Sequence, residues 1–165
     1  MWFSLSAYEK IACFEEELRE SAGRHGLDWR LIAAIVVRES SANPYAIRVE
    51  RGFWRRYSKN YKKMIPEKHP ARRWLGYPDV FASSYGLMQI MFGVAYEHGF
   101  RGRFPTELLD PRTNIRMGCK ILARKIRQSK GSLEGGLLKY NGGGDPHYPA
   151  RVMRAYAVLK KRYPE

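Results

Sequence analysis

Glu39 ends an apolar run, four residues after Ile35, at a helical spacing from Leu31, Ile32 and Ile35. Burial disfavours a charged carboxylate, and the partial negative charge at a helix C-terminus opposes it as well. Both effects favour a protonated carboxyl near neutral pH, which is what a general acid requires. The competing assignment is an ion pair with Arg38 or a distant arginine, or a solvated helix end. A second candidate segment is Ser83-Ser84-Tyr85-Gly86-Leu87-Met88-Gln89-Ile90-Met91. Gly86 allows another group to approach its backbone closely, and Gln89 offers an amide at helical spacing from Tyr85. Taken alone, the segment also reads as a helix start with core residues. A third is Lys139-Tyr140-Asn141-Gly142-Gly143-Gly144. Its glycines suit a phosphate cradle, but no Lys-Ser/Thr follows, so it is no P-loop. A tyrosine beside a glycine loop can instead place its hydroxyl in a cleft, or simply pack. His25, His69, His98 and His147 are scattered without ligand spacing, so no metal is expected. No cofactor is expected either. Cys13 and Cys119 sit among apolar neighbours and read as small buried thiols.

Helical periodicity dominates the elements that must hold these residues. Residues from about Ser4 to Ala22 place Ala7, Ile11, Phe14 and Leu18 on one face, closed by Gly23 and Gly26. Asp28 caps a helix from Trp29 to about Ser41 that is apolar nearly all round, as a buried central helix would be. A strand is the rival for Ile35-Val36-Val37, and length together with the Asp cap favours helix. Pro44 ends this region. A basic, aromatic stretch follows, helical from about Phe53 to Lys63 and loop around Pro66, Pro70 and Pro78. Further helices are expected at Ser84 to His98, Pro111 to Gln128 with Asp110 as cap, Ser132 to Tyr140, and Pro149 to Tyr163. Strand content is expected to be at most a small hairpin near Asp79 to Ser84. The fold class is mainly α.

A chain of 165 residues fits a single domain over 1–165. Hydrophobic residues at 44% support a packed core, and 30 Lys+Arg against 16 Asp+Glu give a net charge of +14. Such a balance suits nucleic acid, an anionic membrane surface or an anionic wall polymer. The longest apolar run, Leu31 to Val37, is far short of a membrane span. Met1 to Lys10 shows no basic n-region before its apolar residues and no cleavage site, so no export signal is expected.

The order of the segments narrows these options. Glu39-Ser40-x-x-Asn43-Pro44 precedes Gly86-Leu87-Met88-Gln89-Ile90-Met91; then come Asp110-Pro111-x-x-Asn114-Ile115-x-x-Gly118 and Tyr140-Asn141-Gly142-Gly143. From about Leu27 to Tyr156 this pattern resembles the catalytic domain of soluble lytic transglycosylases, a lysozyme-like fold grouped with goose-type lysozyme. The stretch from Asn43 to Glu50 and the basic insert over 48–82 resemble the phage and prophage branch. The chain departs from the usual Tyr-Asn-Ala-Gly at Gly142, and the insert replaces a short Ser/Pro/Gly stretch.

The resemblance implies an enzyme acting on peptidoglycan glycan strands as a monomer, with Glu39 as the single acid/base. It places Ser40, Gly86, Gln89, Met91, Tyr140 and Asn141 against the sugar strand. The implied reaction cleaves the MurNAc-β-1,4-GlcNAc bond, leaves a 1,6-anhydro end and consumes no water. The goose-type relatives hydrolyse instead, which needs a second carboxylate; Glu50 and Asp79 are the candidates by chain position. The branch implies synthesis in a bacterial host's cytoplasm and action on the wall after release through a holin or from a virion. Arg51, Arg55, Arg56, Lys59, Lys62, Lys63, Arg72 and Arg73 suit contact with an anionic wall, while Trp54, Tyr57 and Trp74 read as packing. Arg151, Arg154, Lys160, Lys161 and Arg162 make a second basic face. A basic nucleic-acid or wall binder without activity is the rival from another class. No nucleic-acid motif supports it, and it leaves the ordered motifs unexplained.

Overall fold

Ser6 and Glu9 form a capping box that opens α1 (Ala7–Lys10). In the computed structural model, which describes residues 5–164, the expected first helix is not continuous. A 3₁₀ turn over Ile11–Phe14 separates α1 from α2 (Glu15–Gly23). Ile11, Phe14 and Leu18 are buried as the periodicity requires. The expected start at Ser4 lies outside the described residues. Cys13 faces away from this stripe and is exposed, which corrects its reading as a buried thiol; Cys119 is buried, and burial pushes its thiol up to about 12.

Asp28 accepts a hydrogen bond from the Arg30 amide and opens α3 (Trp29–Ser40). Every residue from Trp29 to Val36 is buried, so this is the central helix and the strand alternative falls away. Strand β1 (Ile47–Val49) follows, then α4 (Arg51–Met64). The side chain of Arg51 lies outside the described ones. The stretch expected to be loop folds as a 3₁₀ helix over Pro70–Gly76 and the short α5 (Pro78–Phe81), with proline in the first turn of each. The insert joins the main core through aromatic contacts. Trp54 and Tyr61 of α4 meet Phe81 at 5.6 and 5.0 Å between ring centroids, and Phe81 meets Phe92 at 5.6 Å.

Strands β2 (Ser83–Tyr85) and β3 (Ile90–Met91) complete an antiparallel sheet of order β1-β2-β3. Arg48 lies opposite Ser84, and Ser84 opposite Met91. Two expectations are corrected here. The helix expected from Ser84 begins only at Phe92, as α6 (Phe92–Glu97), and the hairpin lies after Ser83 rather than over Asp79 to Ser84. The cause is backbone: Gly86 has φ +72° and Gln89 φ +49°, which reverse the chain where a helix would have run on.

Asp110 caps α7 (Pro111–Gln128) through the Thr113 amide, and Ser132 caps α8 (Leu133–Tyr140) through the Gly135 amide. The last helix is α9 (Tyr148–Arg162). It runs antiparallel to α3. The Tyr156 hydroxyl donates to Asp28 at 2.6 Å and Arg30 Nη1 donates to the Tyr163 carbonyl at 3.1 Å, while at the far end Tyr148 reaches Glu39. Burial opposes ionisation of Asp28, but the Arg30 guanidinium and Tyr156 hydroxyl outweigh it and bring its pKa down to about 2.

The turn between β2 and β3 is fixed by Asn114 of α7, whose side chain is fully buried. Its Oδ1 accepts from the Met88 amide at 2.7 Å, and its Nδ2 donates to the carbonyls of Tyr85 and Leu108 at 2.8 and 2.7 Å. Asn114→Ala would orphan all three backbone groups. We expect it to destabilise the fold by roughly 3–5 kcal/mol, read as a lowered denaturation midpoint with unchanged m.

Candidate active site

The C-terminal turn of α3 carries Glu39 and Ser40 to the β2–β3 turn. Ser41 follows in the left-handed region (φ 53°) and turns the chain away towards β1. Glu39 Oε1 accepts a hydrogen bond from the Tyr148 hydroxyl at 2.6 Å. Tyr148 is the first residue of α9 and is buried. Its placement depends on the glycine loop before it. Gly142 and Gly143 have φ +78° and +76°, Asp145 accepts from the His147 amide at 3.0 Å, and Arg151 pairs with Asp145.

Burial raises the Glu39 pKa above the ordinary carboxylate value. The Tyr148 hydroxyl and the Arg48 and Arg38 charges pull the other way, Glu50 adds to the rise, and the net direction is up. Tyr148 is itself pushed up, first by burial and then by the Glu39 charge, so it stays a phenol and donates. The pair is therefore a carboxyl disposed to hold a proton, beside a neutral donor that steadies the carboxylate once that proton leaves.

The other candidate residues divide into those engaged with the scaffold and those left open. Ser40 Oγ donates to the Leu87 carbonyl at 2.8 Å, and the Tyr140 hydroxyl donates to the Met88 carbonyl at 2.8 Å. Both hydroxyls hold the turn against α3 and α8. Gln89 Nε2 donates to the carbonyls of Ala46 and Gly86 at 3.1 and 2.9 Å, which locks its strained residue into the turn. Gly86 is buried against α7: a Cβ there would lie 2.6 Å from both Asn114 Nδ2 and the Leu108 carbonyl. A Cβ on Gly118 would lie 2.1 Å from Met88 Sδ, so that glycine makes room for the turn's central side chain. Met91 is partly buried on β3, and Asn141 ends α8 at the mouth of the glycine loop.

The two further carboxylates part company. Glu50 accepts from Arg48 Nε at 2.7 Å, lies 3.5 Å from Ser84 Oγ, and its charge acts on Glu39. Asp79 sits exposed in the first turn of α5, and its backbone carbonyl accepts from Ser83 Oγ. Among the described residues, no group of three His, Cys, Asp or Glu side chains could hold a metal ion. Two groups were not legible as site residues in the sequence. Tyr148 lies 109 positions from its partner, and only its place just before Pro149 at a helix start marked it. Asn114 stood in the pattern without a role.

A family model described as the transglycosylase SLT domain matches residues 16–156. The chain belongs to this family. Its mainly α architecture is the lysozyme-like fold of SLT domains. Over 113 residues, 68% of the chain, it is 28% identical to a membrane-bound lytic murein transglycosylase F of Desulfosudis oleivorans. The match covers 22% of that relative, so the chain corresponds to about a fifth of its length. No solved structure matches. Among the described residues, no helix is long and apolar enough to cross a membrane.

Removing the Tyr148 hydroxyl takes away a donor that favours the Glu39 carboxylate. Tyr148→Phe is therefore expected to move the Glu39 titration midpoint to higher pH, read by carbon NMR of the labelled carboxyl. The raised pKa also links to stability. Between the unfolded and folded pKa values the native state holds a proton that the unfolded state has lost, so stability falls as pH rises through that window. Glu39→Gln abolishes this fall, so the variant should melt higher than wild type at about pH 8 but not below about pH 4.

Proposed function

We propose that this chain is a peptidoglycan lytic transglycosylase in which Glu39 is the only acid/base, and that residues 1–165 act as one catalytic domain. The observation that carries the reading is the half-buried Glu39 carboxyl, disposed to be protonated and held at 2.6 Å by Tyr148. In the first step the Glu39 proton passes to the glycosidic oxygen between MurNAc and GlcNAc as the C1–O bond breaks. The substrate's own N-acetyl group stabilises the positive charge developing at C1. The Glu39 carboxylate, steadied by Tyr148, then takes the proton of the C6 hydroxyl as that oxygen bonds to C1. The product is a 1,6-anhydro end, and Glu39 is protonated again.

Hydrolysis is the second reading, favoured by the electrostatic reach of Glu50 to Glu39. Against it, the Glu50 carboxylate is already engaged by Arg48 Nε at 2.7 Å and is not free to orient a water. Wall attachment is part of the proposal. Arg55, Arg56, Lys59, Lys62 and Lys63 are exposed along α4 and suit an anionic polymer. Arg72 does not serve this purpose, because it donates to the Ile65 carbonyl at 2.6 Å and pairs with Glu67. A phage or prophage origin, with delivery through a holin or a virion, rests on the sequence of the Asn43–Glu50 stretch and the basic insert.

The test is release of soluble muropeptides from purified sacculi. Glu39→Gln should lower the rate by about 100-fold or more, and Glu50→Gln by no more than a few-fold. Equal loss in both variants would favour hydrolysis. Sacculus binding by Glu39→Gln should persist and weaken as salt rises past about 0.15 M.

A further inference from the structure

The outer edge of β1 is free of strand pairing among the described residues. The Gly86 amide donates to the Ala46 carbonyl at 2.8 Å, and the Glu50 amide donates to the Ala82 carbonyl at 2.9 Å. These bonds bracket the paired residues Arg48 and Ser84 in the same register. Hydrogen-bonded pairs alternate along an antiparallel ladder, so Ala46, Arg48 and Glu50 face β2. The N–H and C=O groups of Ile47 and Val49 therefore point outward. β1 is at the end of the sheet order, and no described strand covers this edge. The edge is also apolar: Tyr45 is 77% exposed, Ile47 54% and Val49 44%. Unpaired backbone groups flanked by exposed apolar side chains make a template for an extended peptide.

We propose that this edge binds the peptide stem of the glycan strand through hydrogen bonds to the outward N–H and C=O groups of Ile47 and Val49. The inference rests on the proposed function and names how the same site recognises its substrate. The stem hangs from C3 of the muramic ring whose C1 is cleaved. Once Glu39 reaches the C1 oxygen, the stem must leave the ring close to Glu39. β1 begins eight residues after Glu39, and Arg48 at its middle and Glu50 just past its end lie near enough to act on the Glu39 charge. The stem carries carboxylates, and the Arg48 side chain at the strand's centre is 58% exposed while its Nε donates to Glu50 at 2.7 Å. A stem laid along this edge would also cover Ile47 and Val49.

Two measurements on the full chain test this. In the first, soluble GlcNAc-MurNAc-tetrapeptide is added to the Glu39→Gln variant, and amide hydrogen exchange is followed by NMR. The Ile47 and Val49 amides should exchange several-fold more slowly, and the same disaccharide without peptide should leave them unchanged. In the second, cleavage of stem-bearing strands is compared with cleavage of amidase-stripped strands. Val49→Pro removes one outward N–H at an edge position that tolerates proline, whereas Val49→Thr keeps it. Val49→Pro should lower the stem-bearing to stripped rate ratio about three- to tenfold, and Val49→Thr should preserve it. Unchanged amides, or a full ratio in folded Val49→Pro, would overturn the inference. So would protection of the two amides without ligand that grows with protein concentration, which would mean that a second copy occupies the edge. Failure of the wild type to cut either strand would instead overturn the proposed function, and amide protection by the tetrapeptide would still decide the role of β1.

Discussion

One buried amide governs the geometry of this molecule. Asn114 can satisfy the Met88 N–H and the carbonyls of Tyr85 and Leu108 only if the β2–β3 turn lies directly on α7. That approach requires glycine on both sides of the contact, Gly86 under the amide and Gly118 under Met88. Once seated, the turn offers its remaining carbonyls to other elements. Ser40 of α3 takes Leu87, Tyr140 of α8 takes Met88, and Gln89 bridges to Ala46 beside β1. Three helices and the sheet are thereby fixed relative to the residue next to Ser40, which is Glu39. An unpaired polar group at any of these buried positions would cost on the order of 1–3 kcal/mol, so the network tolerates little drift.

The carboxyl at the centre is held between opposing influences. Burial favours its protonated form, while Tyr148, Arg48 and Arg38 favour the charged one. In the proposed reaction Glu39 gives up a proton and takes one back, and such a balance leaves neither state prohibitively unfavourable. The antiparallel contact of α3 with α9 supplies it. Asp28, Tyr156, Arg30 and Tyr163 lock one end of the helix pair, and Tyr148 meets Glu39 at the other.

Features set by local chemistry were legible in the sequence. The caps at Asp28 and Asp110 act as read, and α7 and α8 fall within their expected bounds. Glu39 stood out because an acid at the end of an apolar helix is costly there. What escaped was decided by backbone or distance. The helix expected from Ser84 failed because Gly86 and Gln89 take positive φ, which apolar periodicity does not register. Tyr148 escaped because its partner lies across the fold. Pro66, Pro70 and Pro78 read as loop, yet Pro70 and Pro78 each opened a short helical turn, since the first turn has amides without partners to lose. The Trp54 and Trp74 rings pack as read, Trp54 against Phe81 and Trp74 with its Nε1 on the Arg103 carbonyl.

The account stands on a single carboxyl performing both proton transfers, with no water in the bond-forming step. Cleavage of purified sacculi in water enriched in oxygen-18, followed by mass spectrometry of the released muropeptides, tests this most directly. The account predicts unlabelled ends that resist borohydride and are one water lighter than reducing muropeptides. Reducible muramic ends carrying one oxygen-18 would contradict it and make a water-activating base necessary.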